Sequence, residues 1–93
     1  MKSLDYLKKI RKDNCCVCGG KAEPHHMKEI GMGRNRQLER AEHFTALAMC
    51  RGHHSELHTI GLISFQVKYN INLWREVAYQ LVEVLWESQN GSE

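Results

Sequence analysis

Nine residues, Cys50-Arg51-Gly52-His53-His54-Ser55-Glu56-Leu57-His58, hold four side chains able to bind a metal ion. His54 and His58 stand four apart, so on a helix they share one face about a turn apart. Cys50 and His53 have the spacing of half a zinc site. Two earlier stretches offer partners, Cys15-x-x-Cys18 and the adjacent pair His25-His26. Cys15, Cys18, Cys50 and His53 make two pairs of N/S donors, which close a tetrahedral shell and predict a structural Zn²⁺. His25, His54 and His58 make a second set of three imidazoles. Three donors leave open positions for water or substrate, as a catalytic divalent metal requires.

His26 follows Pro24 and His25. Pro24 biases Glu23 toward extended backbone, and in an extended segment neighbouring side chains point to opposite sides. His26 is therefore turned away from the metal that His25 would bind and is free to act as general base. An ordinary histidine titrates near pH 6.5 and can take a proton from water at neutral pH. A phosphodiester suits this pairing, because a metal can hold the oxygens on which charge develops. Arg34 and Arg36, in a Gly-flanked loop, together with Lys28, are the candidates to hold flanking phosphates.

The chain has 93 residues, a length for one domain (1–93) with a small core that a metal can staple. Thirteen basic residues against 11 acidic give a net charge of +2, too mild to identify a polyanion partner. The charge is uneven, however: residues 1–12 carry five bases and one acid, whereas Glu76, Glu83, Glu87 and Glu93 load the other end. Any polyanion site is expected in the N-terminal two-thirds. The first residues form no apolar signal segment, and no stretch approaches the ~20 apolar residues of a membrane span. A cytoplasmic location, in a bacterial or phage-infected cell, is the expectation. In that compartment thiols stay reduced, and four cysteines in this spacing read as metal ligands rather than disulfides.

The elements that must position these residues follow from pattern. Ser3 can cap a first helix with Leu4, Leu7 and Ile10 on one stripe. Cys15 to Gly20 is a zinc knuckle whose glycines allow the sharp turn, with Cys16 a small buried residue beside it. Strands are expected around His25–Ile30 and Phe44–Met49, paired antiparallel, with a helix from His53 to Ile60 across them and Gly61 as its C-cap. Residues 38–42 read as loop. A short helix from Ile63 to Tyr69 stops near Asn70. Asn72 caps a last helix from Leu73 to about Ser88, with the stripe Leu73, Val77, Leu81, Val84 and Leu85. Asn90 to Glu93 is a tail. The fold class is α+β, a zinc-stabilised ββα-metal core at 15–61 with an N-terminal helix and a C-terminal helical extension at 62–88.

The order Cys-x-x-Cys, His-His, a β segment and Cys-x-x-His-His-x-x-x-His resembles the HNH endonucleases of the ββα-metal class. It is most similar to the phage-type members, among them the recombination-enhancement nucleases that act with a RecA filament. The likeness covers about Cys15 to Gly61. It implies hydrolysis of DNA by a His base and one catalytic metal, leaving 5′-phosphate and 3′-hydroxyl ends. It gives His25 the role of ligand, His26 that of base, and His54 and His58 the remaining ligand positions. One position departs from the motif. The Asn or His that orients the base-bearing segment falls on Thr45, and His43, two residues earlier on the same expected strand face, is the favoured substitute. An all-His shell is softer than Mg²⁺ prefers, so Mn²⁺, Ni²⁺ or Zn²⁺ is expected to support it better.

The competing reading is a zinc-stabilised DNA- or protein-binding module without chemistry, for which the second set of histidines would have no purpose. A shift of one residue could also exchange His53 and His54 between the two sites. The expected partners are DNA, a recombination or phage protein that supplies targeting, and a second copy joined through the C-terminal helix; a membrane is not among them.

Overall fold

Two four-residue strands form the centre, and every side chain of the second is buried. The structure, a computed structural model, describes residues 1–31 and 33–90. Helix α1 (Ser3–Arg11) leads into the Cys15 turn and strand β1 (Glu23–His26). Two short 3₁₀ turns, Gly33–Gln37 and Ala41–Thr45, precede strand β2 (Ala46–Met49). Helices α2 (Arg51–Ile60), α3 (Leu62–Tyr69) and α4 (Leu73–Asn90) complete the α+β fold. The strands pair antiparallel with His25 opposite Leu47 and His26 opposite Ala46.

Alternation along β2 divides the core. Leu47 and Met49 pack with Leu57 of α2, Phe65 of α3, and Leu73 and Val77 of α4. Ala48 packs on the other side with Tyr6 and Ile10 of α1 and with Val84. The outer edge of β2 does not face water. The Ala48 N–H donates to Gln80 Oε1 at 3.0 Å, and Gln80 Nε2 donates to Ala46 O at 2.7 Å and to Tyr6 Oη at 3.0 Å. The Ala48 carbonyl accepts from the Cys16 N–H at 3.0 Å. One buried glutamine thus stands in for part of a third strand, pairing the Ala48 N–H and the Ala46 carbonyl on this edge.

Several expectations are corrected. Ser3 is not the cap of α1 but lies buried in its first turn, where its hydroxyl donates to Glu39 and accepts from the Arg40 N–H. Tyr6 replaces Leu4 in the fully buried stripe. Strand β1 starts at Glu23 and stops at His26, short of Ile30. His43 and Thr45 lie in a 3₁₀ turn, not on a strand face, because the Thr45 hydroxyl donates to Glu42 O at 2.7 Å and the His43 N–H to Arg40 O at 3.1 Å, closing the turn. That turn also takes in Ala41 and Glu42, the last two residues of the stretch expected as loop. On α4, Gln80 holds a buried position and Leu85 is 42 % exposed. The predicted stops are present: Gly61 has φ +87°, and Asn70 closes α3 in the left-handed region. Asn72 Oδ1 accepts from the Arg75 N–H at the start of α4. The expected tail lies, beyond Asn90, outside the described residues. Among these no helix is long and apolar enough to cross a membrane.

Candidate metal centres and base

The turn before β1 presents two thiols. Gly19, at φ +77°, adopts a conformation that favours glycine, and its N–H donates to Cys15 O at 2.9 Å. The Cys15 N–H donates to Gly20 O at 2.7 Å, so the turn closes with Cys15 and Cys18 on one side. Cys50 is the N-cap of α2, its sulfur accepting from the His53 N–H, which sets His53 in the first turn beside it. The four donor atoms of Cys15, Cys18, Cys50 and His53 lie within 4.8 Å of one another. Cys18 and Cys50 sulfurs are 3.8 Å apart, as are Cys15 Sγ and His53 Nδ1. A Zn–S bond of about 2.3 Å in a tetrahedron gives donor separations of about 3.8 Å, so this cluster fits zinc. All four cysteines are free. Burial works to raise the Cys15 thiol, but hydrogen bonds from the backbone around Cys50, Cys18 and Val17, and from His53, bring it down to about 6, favouring the thiolate a metal needs. Cys16 turns instead into the apolar core, where burial pushes it up to about 12.

The second cluster lies on the Glu23–His25 face of β1. His25, His54 and His58 have donor atoms within 4.8 Å of each other, and ring centroids 4.7 Å (His25–His54), 5.3 Å (His25–His58) and 4.9 Å (His54–His58) apart. Burial, followed by the neighbouring His54 and His58, lowers His25 to about 4, so it remains a neutral donor at neutral pH. These rings face an open cleft of about 500 Å³ that His26 and Arg36 also line. Arg34 and Lys28 are exposed and lie off the cleft lining. Three imidazoles and an open side fit a divalent ion with room for substrate oxygens.

Glu23 is a participant that inspection of the sequence did not single out. His54 Nδ1 donates to Glu23 Oε2 at 2.7 Å, and Arg51 pairs with the other Glu23 oxygen at 3.5 Å. This fixes the His54 ring and leaves Nε2 for a metal, the usual function of a carboxylate behind a metal-binding histidine. The signal was present in strand period alone, since Glu23 and His25 are two apart and share a face.

His26, on the opposite face of β1, is 7 % exposed. Its Nε2 lies 2.9 Å from Nδ1 of the fully buried His43, and His43 Nε2 lies 2.7 Å from Leu38 O. A carbonyl only accepts, so His43 Nε2 carries the proton and, in the neutral ring, Nδ1 is the acceptor. His26 Nε2 must then donate, and the lone pair of His26 falls on Nδ1. That atom is buried and has no hydrogen-bond partner in the protein. Burial, then the neighbouring His43, Arg36 and Arg11, lowers His26 to about 4. Thr45 acts on the same segment through the backbone: its hydroxyl accepts from the Lys28 N–H at 3.0 Å and its carbonyl from the Met27 N–H at 3.2 Å.

Comparison with known proteins agrees with this arrangement. Residues 1–87 match the family described as "Putative HNHc nuclease". Over 79 residues the chain is 33 % identical to the uncharacterized protein YdfU of Escherichia coli (strain K12). That alignment covers 84 % of this chain but 21 % of YdfU, so the chain spans about a fifth of its relative's length. No solved structure matches. A match across nearly the whole chain, on a fold whose α2 carries both His54 and His58, gives the assignment: the chain belongs to the HNHc nuclease family.

Proposed function

We propose that this protein is a metal-dependent DNA endonuclease that hydrolyses phosphodiester bonds with His26 as general base. The observation that carries the reading is the chain from Leu38 O through His43 to His26, which leaves Nδ1 of His26, a residue that lines the His25–His54–His58 cleft, without a hydrogen-bond partner in the protein. His25, His54 and His58 would hold one divalent ion, Mg²⁺, Mn²⁺, Ni²⁺ or Zn²⁺, which would supply Lewis acidity to the phosphate as charge develops on it. Cys15, Cys18, Cys50 and His53 would hold a structural Zn²⁺ that pins the knuckle to the start of α2.

In the proposed reaction a water molecule gives its proton to His26 Nδ1 as it attacks phosphorus. The P–O3′ bond breaks with its electron pair going to O3′, which takes a proton from solvent water, leaving a 5′-phosphate and a 3′-hydroxyl. His43 accepts from His26 Nε2–H throughout, holding the ring and its tautomer, and is the orienting residue of the motif. Thr45 fixes the backbone that follows His26. Arg36, on the cleft wall, binds a flanking phosphate, with Arg34 and Lys28 as outer contacts. Targeting to particular DNA by a recombination or phage protein is consistent with the small surface left for base contacts.

Nicking of supercoiled plasmid by wild type and His26→Ala across the four metals tests the reading. Abolished cleavage in His26→Ala with an unchanged fold supports it; full activity in that variant would remove the base assignment.

A further inference from the structure

Helix α4 runs 18 residues, about 27 Å, and only one side of it is covered. Leu73, Val77, Gln80 and Val84 face the core. Trp74, Ala78, Val82 and Trp86, at successive intervals of four, form one exposed ridge that winds from the flank of the buried stripe at Trp74 to the side opposite it at Trp86, with exposed Tyr79 and Leu85 beside it. Trp74 is 48 %, Val82 66 % and Trp86 65 % exposed. Exposed tryptophans at this density mark a surface that meets something.

The ridge itself indicates its occupant. Its order, Trp-Ala-Val-Trp, is nearly the same read from either end, with the small residues at the middle and the large ones at both ends. Two such ridges packed antiparallel about a two-fold axis at the level of residue 80 set Trp74 against Trp86 at each end. Ala78 then meets Val82 where the helices come closest. Ridges of i±4 residues interlock at a crossing angle of about −50°, the commonest helix pair. Charge selects the same direction. Glu83 and Glu87 are turned toward Lys9 and Lys12 of α1, lining one groove with them, which leaves Arg75 as the charge beside the ridge. Parallel pairing would oppose Arg75 to its own copy. Antiparallel pairing puts it beside Trp86 of the other chain, a favourable cation–π position.

We propose that two copies of this chain associate through α4, antiparallel and two-fold symmetric, along the Trp74–Ala78–Val82–Trp86 ridge. The inference rests on α4 alone and is independent of the nuclease reading.

Sedimentation velocity over a concentration series tests it. Wild type should pass from monomer to dimer, and Trp74→Glu, Trp74→Lys and Trp86→Lys should each weaken association roughly tenfold or more. The altered side chains are exposed, and an unchanged far-UV circular dichroism spectrum with a cooperative thermal transition confirms that each variant is folded. Mixing Trp74→Glu with Trp86→Lys should restore a heterodimer, because antiparallel pairing brings those positions together. Mixing Trp74→Glu with Trp74→Lys should not. Wild type monomeric at every concentration, a dimer indifferent to these substitutions, or rescue by the second mixture instead of the first would each overturn the proposal. In the monomeric case, quenching of tryptophan fluorescence by a single-stranded oligonucleotide would identify base stacking as the function of the ridge.

Discussion

The two clusters on α2 are built from adjacent residues and differ in almost every physical respect. His53 joins three cysteines; His54 joins two histidines and is backed by Glu23. The first set has four donors, three of them able to become thiolates, and the Cys15 sulfur within it is buried. The second has three imidazole donors, a carboxylate behind one of them, and a cleft in front. Donor number and surroundings, more than the nature of the helix, decide whether a site closes around an ion or leaves coordination positions for a substrate. A one-residue step turns the side chain by about 100° around α2, which is how one helix serves both.

Breaking each half separates the roles, starting with the largest effect. Cys50→Ser removes a thiolate ligand while leaving a hydroxyl that can still cap α2. Loss of tight zinc binding, and with it of cooperative thermal unfolding, is expected by calorimetry. His26→Ala should lower the single-turnover cleavage rate by roughly 10²–10⁴-fold with an unaltered far-UV spectrum.

Acid should act next. His26 sits at about 4 when folded, chiefly because it is buried, against an ordinary value near 6.5. Between pH 6.5 and 4 the unfolded chain takes up a proton that the folded chain refuses. Stability therefore falls as pH drops through that window. The loss approaches about 3 kcal/mol for this one group and should be absent from His26→Gln in denaturant titrations at both pH values. The smallest effect is expected from Glu23→Gln, which leaves His54 in place but weakens its partner. Affinity for the catalytic metal should fall roughly 10–100-fold by isothermal titration, with the zinc content unchanged.

What the sequence revealed was what spacing alone can encode. Positions 54 and 58 share a helix face, 15 and 18 share a glycine turn, and 25 and 26 diverge on a strand. Each statement needs only local geometry, and the structure brings those groups together. What stayed hidden depended on contacts distant in sequence or on side chains overriding propensity. Glu23 reaches His54 across 31 positions. Gln80, a polar residue in an apolar stripe, has its reason in the open edge of β2, 32 positions away. The 3₁₀ turn at Ala41–Thr45 replaced an expected strand because hydrogen bonds from Thr45 and His43 close it. Spacing puts His43 on a strand face with Thr45 as the residue that orients His26, whereas a 3₁₀ turn delivers the His43 ring to His26.

The central claim is that the boundary between the two metals falls between His53 and His54. Metal analysis of wild type, His53→Ala and His54→Ala, each purified and assayed for plasmid cleavage, tests it directly. His54→Ala should keep one tightly bound zinc per chain and a folded spectrum while losing cleavage, and His53→Ala should lose the zinc and the fold together. Loss of the tight zinc from His54→Ala, or its retention in His53→Ala, would contradict it.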